Sequence, residues 1–174
     1  KLVEGETLQA AAAKAGSMDR ETYKTIISRK TASLFEAAAR MGAMLANANE
    51  ALVEALATYA YNLGLTFQIV DDILDIVGDP ETLGKPVGSD IAQNRGVMAA
   101  QNGGVAVKEA VAEIEDDPIA RMMANLRESG AVEVARMQAE ETAVRARAAL
   151  ATVPPSLART EMENLIEMVL DRQN

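Results

Sequence analysis

The 174-residue chain reads as all-α, a bundle of helices forming one domain. Three observations predict this. Alanine, leucine, methionine, glutamate and arginine dominate the sequence, and these are strong helix formers. Apolar residues make up 49% of the chain, and they recur at i, i+3, i+4 and i+7 between clear stop signals. No segment alternates apolar and polar residues as a half-buried strand does.

The first helix spans Leu2 to about Lys14 and stops before Gly16. Ser17 and Asp19 supply N-cap chemistry for a second, long helix from about Asp19 to Ala46, which Asn47 and Asn49 break. A third runs from about Glu50 to Val77, with Gly78 in the position of a terminating glycine before Asp79-Pro80. Residues Gly78 to Ser89 form a loop rich in glycine and proline. Weaker short helices follow to about Glu128, punctuated by Gly103-Gly104 and Asp116-Asp117-Pro118. Gly130 precedes an amphipathic helix ending near Leu150, and Pro154-Pro155 separates it from a last helix that ends by Arg172.

Composition narrows the chemistry. The chain has no cysteine and no histidine. This removes Cys/His zinc sites, thiolate nucleophiles and imidazole bases, and it fits the cytoplasm. Any reaction must run on carboxylates, lysine, arginine, hydroxyls or amides. A net charge of −9 disfavours nucleic acid, whose phosphates attract basic faces, and suits hard metal cations. No apolar run approaches the roughly 18 residues of a transmembrane helix, and no signal peptide is visible. The chain opens on Lys1 rather than methionine, so its start is expected to lie upstream.

The most informative segment runs from Phe67 to Val77. On a helix at about 100° per residue, with Gln68 at zero, Asp71, Asp72 and Asp75 fall at about −60°, +40° and −20°. One arc then holds all four polar groups, and Phe67, Ile69, Val70, Ile73, Leu74, Ile76 and Val77 take the other side. Gly64, at about −40°, is expected to leave room there for a ligand. Three carboxylates on adjacent turns repel one another unless a cation sits among them. A solvated acidic face is the plain alternative, but the lysines at i+4 that usually accompany one are missing.

A second polar group stands out in the second helix. Tyr23, Ile26, Ile27, Lys30, Leu34, Ala37, Ala38 and Met41 form an apolar stripe at core spacing, with Lys30 in its middle and Thr31 at its edge. A lysine there either snorkels outward or meets an anion. Downstream, Lys85 lies on the glycine-flanked stretch Gly84-Lys85-Pro86, where it could close over a phosphate.

These pieces resemble the trans-isoprenyl diphosphate synthase (polyprenyl synthetase) family. The resemblance rests on Gly5-Glu6-Thr7-Leu8-Gln9, on Tyr23 with Lys30-Thr31-Ala32-Ser33-Leu34-Phe35, on Gly64 through Asp75, on Leu83-Gly84-Lys85-Pro86, and on Asp90-Ile91. It implies an isoprenoid-synthase-type orthogonal helical bundle around a central cavity. Residues 1–174 are then expected to be the carboxy-terminal part of that single domain, with the amino-terminal half and its first aspartate-rich motif missing. It also implies magnesium-dependent elongation of an allylic diphosphate with isopentenyl diphosphate, releasing pyrophosphate, with manganese as an alternative cation. By resemblance, Asp71, Asp72 and Asp75 hold the metal, and Lys30, Lys85 and Gln68 contact the diphosphate. Lys30, Thr31 and Gln68 act catalytically, and Glu6 and Gln9 line the cavity. The fragment is expected to be inactive alone, and to form a homodimer or a complex with the missing half. Asn94-Arg95-Gly96-Val97-Met98-Ala99 departs from the family pattern, which keeps a second reading in view: a non-catalytic regulatory partner of a prenyl diphosphate synthase. A plain helical interaction domain is disfavoured by the spacing of the motifs, and a terpene cyclase by the lack of a second metal motif downstream.

Overall fold

The computed structural model describes residues 1–15, 18–77 and 128–172. These are helical, with no strand among them. In chain order they are α1 (Leu2–Ala15), α2 (Arg20–Ile27), a π-helical turn (Ser28–Ala32), α3 (Ser33–Leu45), α4 (Glu50–Val77), α5 (Ala131–Leu150) and α6 (Leu157–Asp171). Gly16, Ser17, and the loop and short helices expected over residues 78–127 lie outside the described residues. Among the described residues no helix is long and apolar enough to cross a membrane.

The expected signals act at the helix ends. Asp19 caps α2 by accepting from the Thr22 N–H at 2.7 Å. Asn47 takes a left-handed φ of 54° and ends α3. The Asn49 carboxamide oxygen accepts from the Leu52 N–H at 2.9 Å and starts α4. Ser156, not singled out in the sequence, caps α6 just after the expected proline pair.

Helix α4 is the centre of the fold. It packs against α3 and α5 and touches α6. Its second half is buried on nearly every side, with Ile69, Val70, Ile73 and Ile76 in the core. The neighbour α5 lays a stripe of small residues on it, Ala135, Ala139, Ala143 and Ala146, all fully buried, with Leu150 at the end. Alanine at these spacings lets the two backbones approach closely. The buried pair Thr66–Thr142 bridges the helices at 2.8 Å, and Thr142 also donates to its own helix at the Ala139 carbonyl. Tyr59 Oη donates to the Met162 carbonyl at 2.9 Å and ties α6 to α4.

One expectation fails. The long second helix is not a continuous α-helix. At its middle the Ser33 N–H reaches back five residues to the Ser28 carbonyl, and the Ser33 hydroxyl takes the Arg29 carbonyl at 2.7 Å. The serine side chain thus satisfies the carbonyl that its own N–H would have used. The extra residue in the turn rotates everything after it by about 100°. Tyr23, Ile26 and Ile27 are buried as expected, but Leu34 and Met41 are each 58% exposed, with Ala37 and Ala38 exposed beside them. The inward face moves one residue along, to Ala32, Phe35, Ala39 and Ala43. The displaced stripe, continued by Met44 and Leu45, is an apolar face open to solvent.

Candidate active site

The π-turn carries Lys30 and Thr31, and two glycines seat it. A Cβ on Gly5 of α1 would lie 2.7 Å from the Lys30 backbone nitrogen. A Cβ on Gly64 of α4 would lie 2.9 Å from the Ala32 Cα and 3.1 Å from the Phe35 ring. Only hydrogen fits at either position. Gly64 therefore does not leave room for a ligand, as its place on the helical arc suggested. Ala32 and Phe35 fill that space. π-Turns of this kind recur at functional sites, where they redirect side chains.

Lys30 resolves its position in the stripe by meeting an anion. Its Nζ pairs with Glu6 Oε1 at 2.9 Å and donates to Gln9 Oε1 at 2.9 Å. The structure thus brings Glu6, Gln9 and Lys30 together, on the side of the turn facing α1. The lysine is 30% exposed, so the pair is only partly shielded from water.

Thr31 faces α4 and starts a line of hydrogen bonds. Its hydroxyl donates to Gln68 Oε1 at 2.8 Å. Gln68 Nε2 donates to Asp72 Oδ1 at 3.1 Å. The other oxygen, Asp72 Oδ2, accepts from Tyr23 Oη at 2.6 Å. Thr31, Gln68, Asp72 and Tyr23 come from three helical segments, the π-turn, α4 and α2, and the line orients each member through the next. Among the aspartates, Asp71 is half-buried, Asp72 is buried, and Asp75 is only 1% exposed. Lys85 lies outside the described residues.

Tyr23 is the member whose contact sequence reading missed. It entered as an apolar-stripe residue and as part of the family resemblance, with no partner for its hydroxyl. The available signal was its hydroxyl: a buried tyrosine needs a partner.

Burial, and next the Asp72 charge, push the Tyr23 hydroxyl well above its ordinary value. Burial alone pushes Tyr59 up to about 12. A group harder to ionise when folded contributes stability that is whole below about pH 10, its unfolded value, and is lost as pH rises through the folded value. Urea unfolding at stepped pH should therefore show stability declining above about pH 10, and Tyr23→Phe should flatten that decline. An equally steep decline in the variant would contradict the buried contact with Asp72.

The donors suit a hard cation. They are oxygens only, and Asp71 presents a carboxylate at the partly open edge of the face. Among the described residues no three acidic side chains converge tightly enough to hold an ion by themselves.

Residues 1–103 match the family model described as Polyprenyl synthetase. The chain belongs to the polyprenyl synthetase family. It is 33% identical to the all-trans-nonaprenyl-diphosphate synthase (geranyl-diphosphate specific) of Rhodobacter capsulatus, over 99% of this chain and 55% of that one. Over 75 residues it is 52% identical to the short chain isoprenyl diphosphate synthase of Methanocaldococcus jannaschii, covering 43% of this chain and 23% of that one. The polyprenyl synthase of Caulobacter crescentus, solved with calcium and isoprenyl diphosphate, superposes with a TM-score of 0.86 at 33% identity, over 99% of this chain and 56% of that one. This polyprenyl synthetase chain thus has the all-α family fold, and it spans about half the length of the relatives it matches end to end.

Proposed function

We propose that this chain supplies the second aspartate-rich, magnesium-binding face of a prenyltransferase that joins an allylic diphosphate to isopentenyl diphosphate and releases pyrophosphate. The observation that carries this reading is the hydrogen-bonded line from Thr31 through Gln68 to Asp72, running beside Lys30.

Asp71, Asp72 and Asp75 are the residues that would hold magnesium, with manganese as an alternative. Magnesium bound there supplies charge neutralisation for the departing diphosphate. Lys30 has exchangeable partners, since a diphosphate oxygen carries more charge than the Gln9 amide and competes for the same ammonium. Lys85 would add a second point charge. The Thr31 hydroxyl spends its proton on Gln68, so the negative end of its dipole is left for the allylic cation that forms as the C–O bond ionises. The isopentenyl double bond then attacks that cation, and a proton is lost. Glu6 and Gln9 hold Lys30 on the α1 side of the turn, and would line the cavity there until a substrate arrives. We assign the exposed stripe of α3 to an interface, either with a second copy or with the helices of the other half of a family domain.

Binding of an allylic diphosphate by the chain, with and without magnesium, tests the reading. Metal-dependent binding is expected from the chain alone. Turnover with isopentenyl diphosphate is expected only once the amino-terminal half of a family domain is added. Metal-independent behaviour in both settings would favour a non-catalytic partner instead.

A further inference from the structure

We propose that Tyr23 is a positioning residue for the metal-binding face: its hydroxyl and the Gln68 amide grip Asp72 from two sides and fix that carboxylate relative to the π-turn before any ligand binds. The proposal rests on the reading of Asp72 as a metal carboxylate given above.

Three features support it. Tyr23 lies 49 residues from Asp72 in sequence, and the 2.6 Å contact is buried, so α2 and α4 must pack in one register for it to form. The contact is a charge-assisted hydrogen bond, the short and strong kind. Each Asp72 oxygen has its own donor, which removes the freedom of the carboxylate to rotate about its last torsion. Partners that orient metal ligands in this way are typically worth about 10–100-fold in metal affinity.

The alternative is that the pair merely satisfies two buried polar groups. Tyr59 provides the comparison, because its buried hydroxyl also bonds across helices, to Met162, away from the site. Calorimetric titration of inorganic pyrophosphate into the 174-residue chain at stepped magnesium concentrations separates the two accounts. Tyr23→Phe should raise the half-saturating magnesium concentration about 10–100-fold. Tyr59→Phe should leave it unchanged even where its melting temperature falls as far. In an Asp72→Asn background, Tyr23→Phe should add no further loss.

Tyr23→Phe keeps the ring that packs beside Ile26 and Ile27, and its melting curve shows whether the fold survives. An unaltered magnesium requirement in folded Tyr23→Phe, with Asp72→Asn still losing binding, overturns the positioning role and leaves the site reading intact. A parent chain whose pyrophosphate binding ignores both magnesium and Asp72→Asn overturns both.

Discussion

The Asp71→Asn variant should bind magnesium pyrophosphate at least about 100-fold more weakly than the parent, and yet unfold at the same or a slightly higher urea concentration. The two effects have opposite signs because they come from different interactions. Asp71 and Asp75 are like charges at i and i+4 on α4. Such a pair destabilises a helix by about 0.2–0.5 kcal/mol, and asparagine removes the repulsion at nearly constant volume. Binding depends on the charge itself. A group that merely orients a metal ligand is worth about 10–100-fold, so a ligand belongs at or above the top of that range. Titration calorimetry and urea unfolding on one preparation read both effects. Unchanged binding would return the segment to an ordinary acidic surface. Reduced stability would mean that Asp71 makes favourable native contacts outweighing the repulsion.

Gly64→Val should cost about 3 kcal/mol of stability and weaken diphosphate binding in whatever fraction still folds. The position meets backbone on the opposing segment, the Ala32 Cα, and backbone cannot swing aside as a flexible side chain can. Forcing extra carbons into a packed contact costs about 1–3 kcal/mol, and a β-branched residue brings two beyond Cβ. Gly64→Ala is the milder test. Its gain in helix propensity, about 1 kcal/mol, offsets part of the clash, leaving a net loss of up to about 2 kcal/mol. Because the contact seats the π-turn, displacing it should also move Thr31 away from Gln68. Urea unfolding of both variants checks the ranking, and a stable Gly64→Val protein would mean that α4 and the turn are not in contact there.

Most helix boundaries were readable because local chemistry sets them. Asp19, Asn47 and Asn49 each act through a backbone group within a few residues, and α4 begins, and α5 and α6 begin and end, within a residue or two of where the sequence signals place them. The arc holding Gln68, Asp71, Asp72 and Asp75 was readable for the same reason, since helical periodicity is local. The π-turn was not. Its only local trace is the serine that covers the Arg29 carbonyl, and serines in helices commonly do this without an inserted residue. Missing it put Leu34 and Met41 in the core.

By itself, then, the sequence determined the all-α class, most helix ends, the family and the set of polar groups offered to a ligand. These follow from residue chemistry and from periodicities that span a few turns. Tertiary structure alone decided how those groups meet. It set the hand-off from Thr31 through Gln68 to Asp72, the grip of Tyr23 from 49 residues away, and the Glu6–Lys30 pair. It also turned Gly64 from apparent space for a ligand into a helix contact. The physical reason is that one inserted residue rotates a helix by about 100°, and only packing of α1 and α4 against the turn determines whether that rotation occurs.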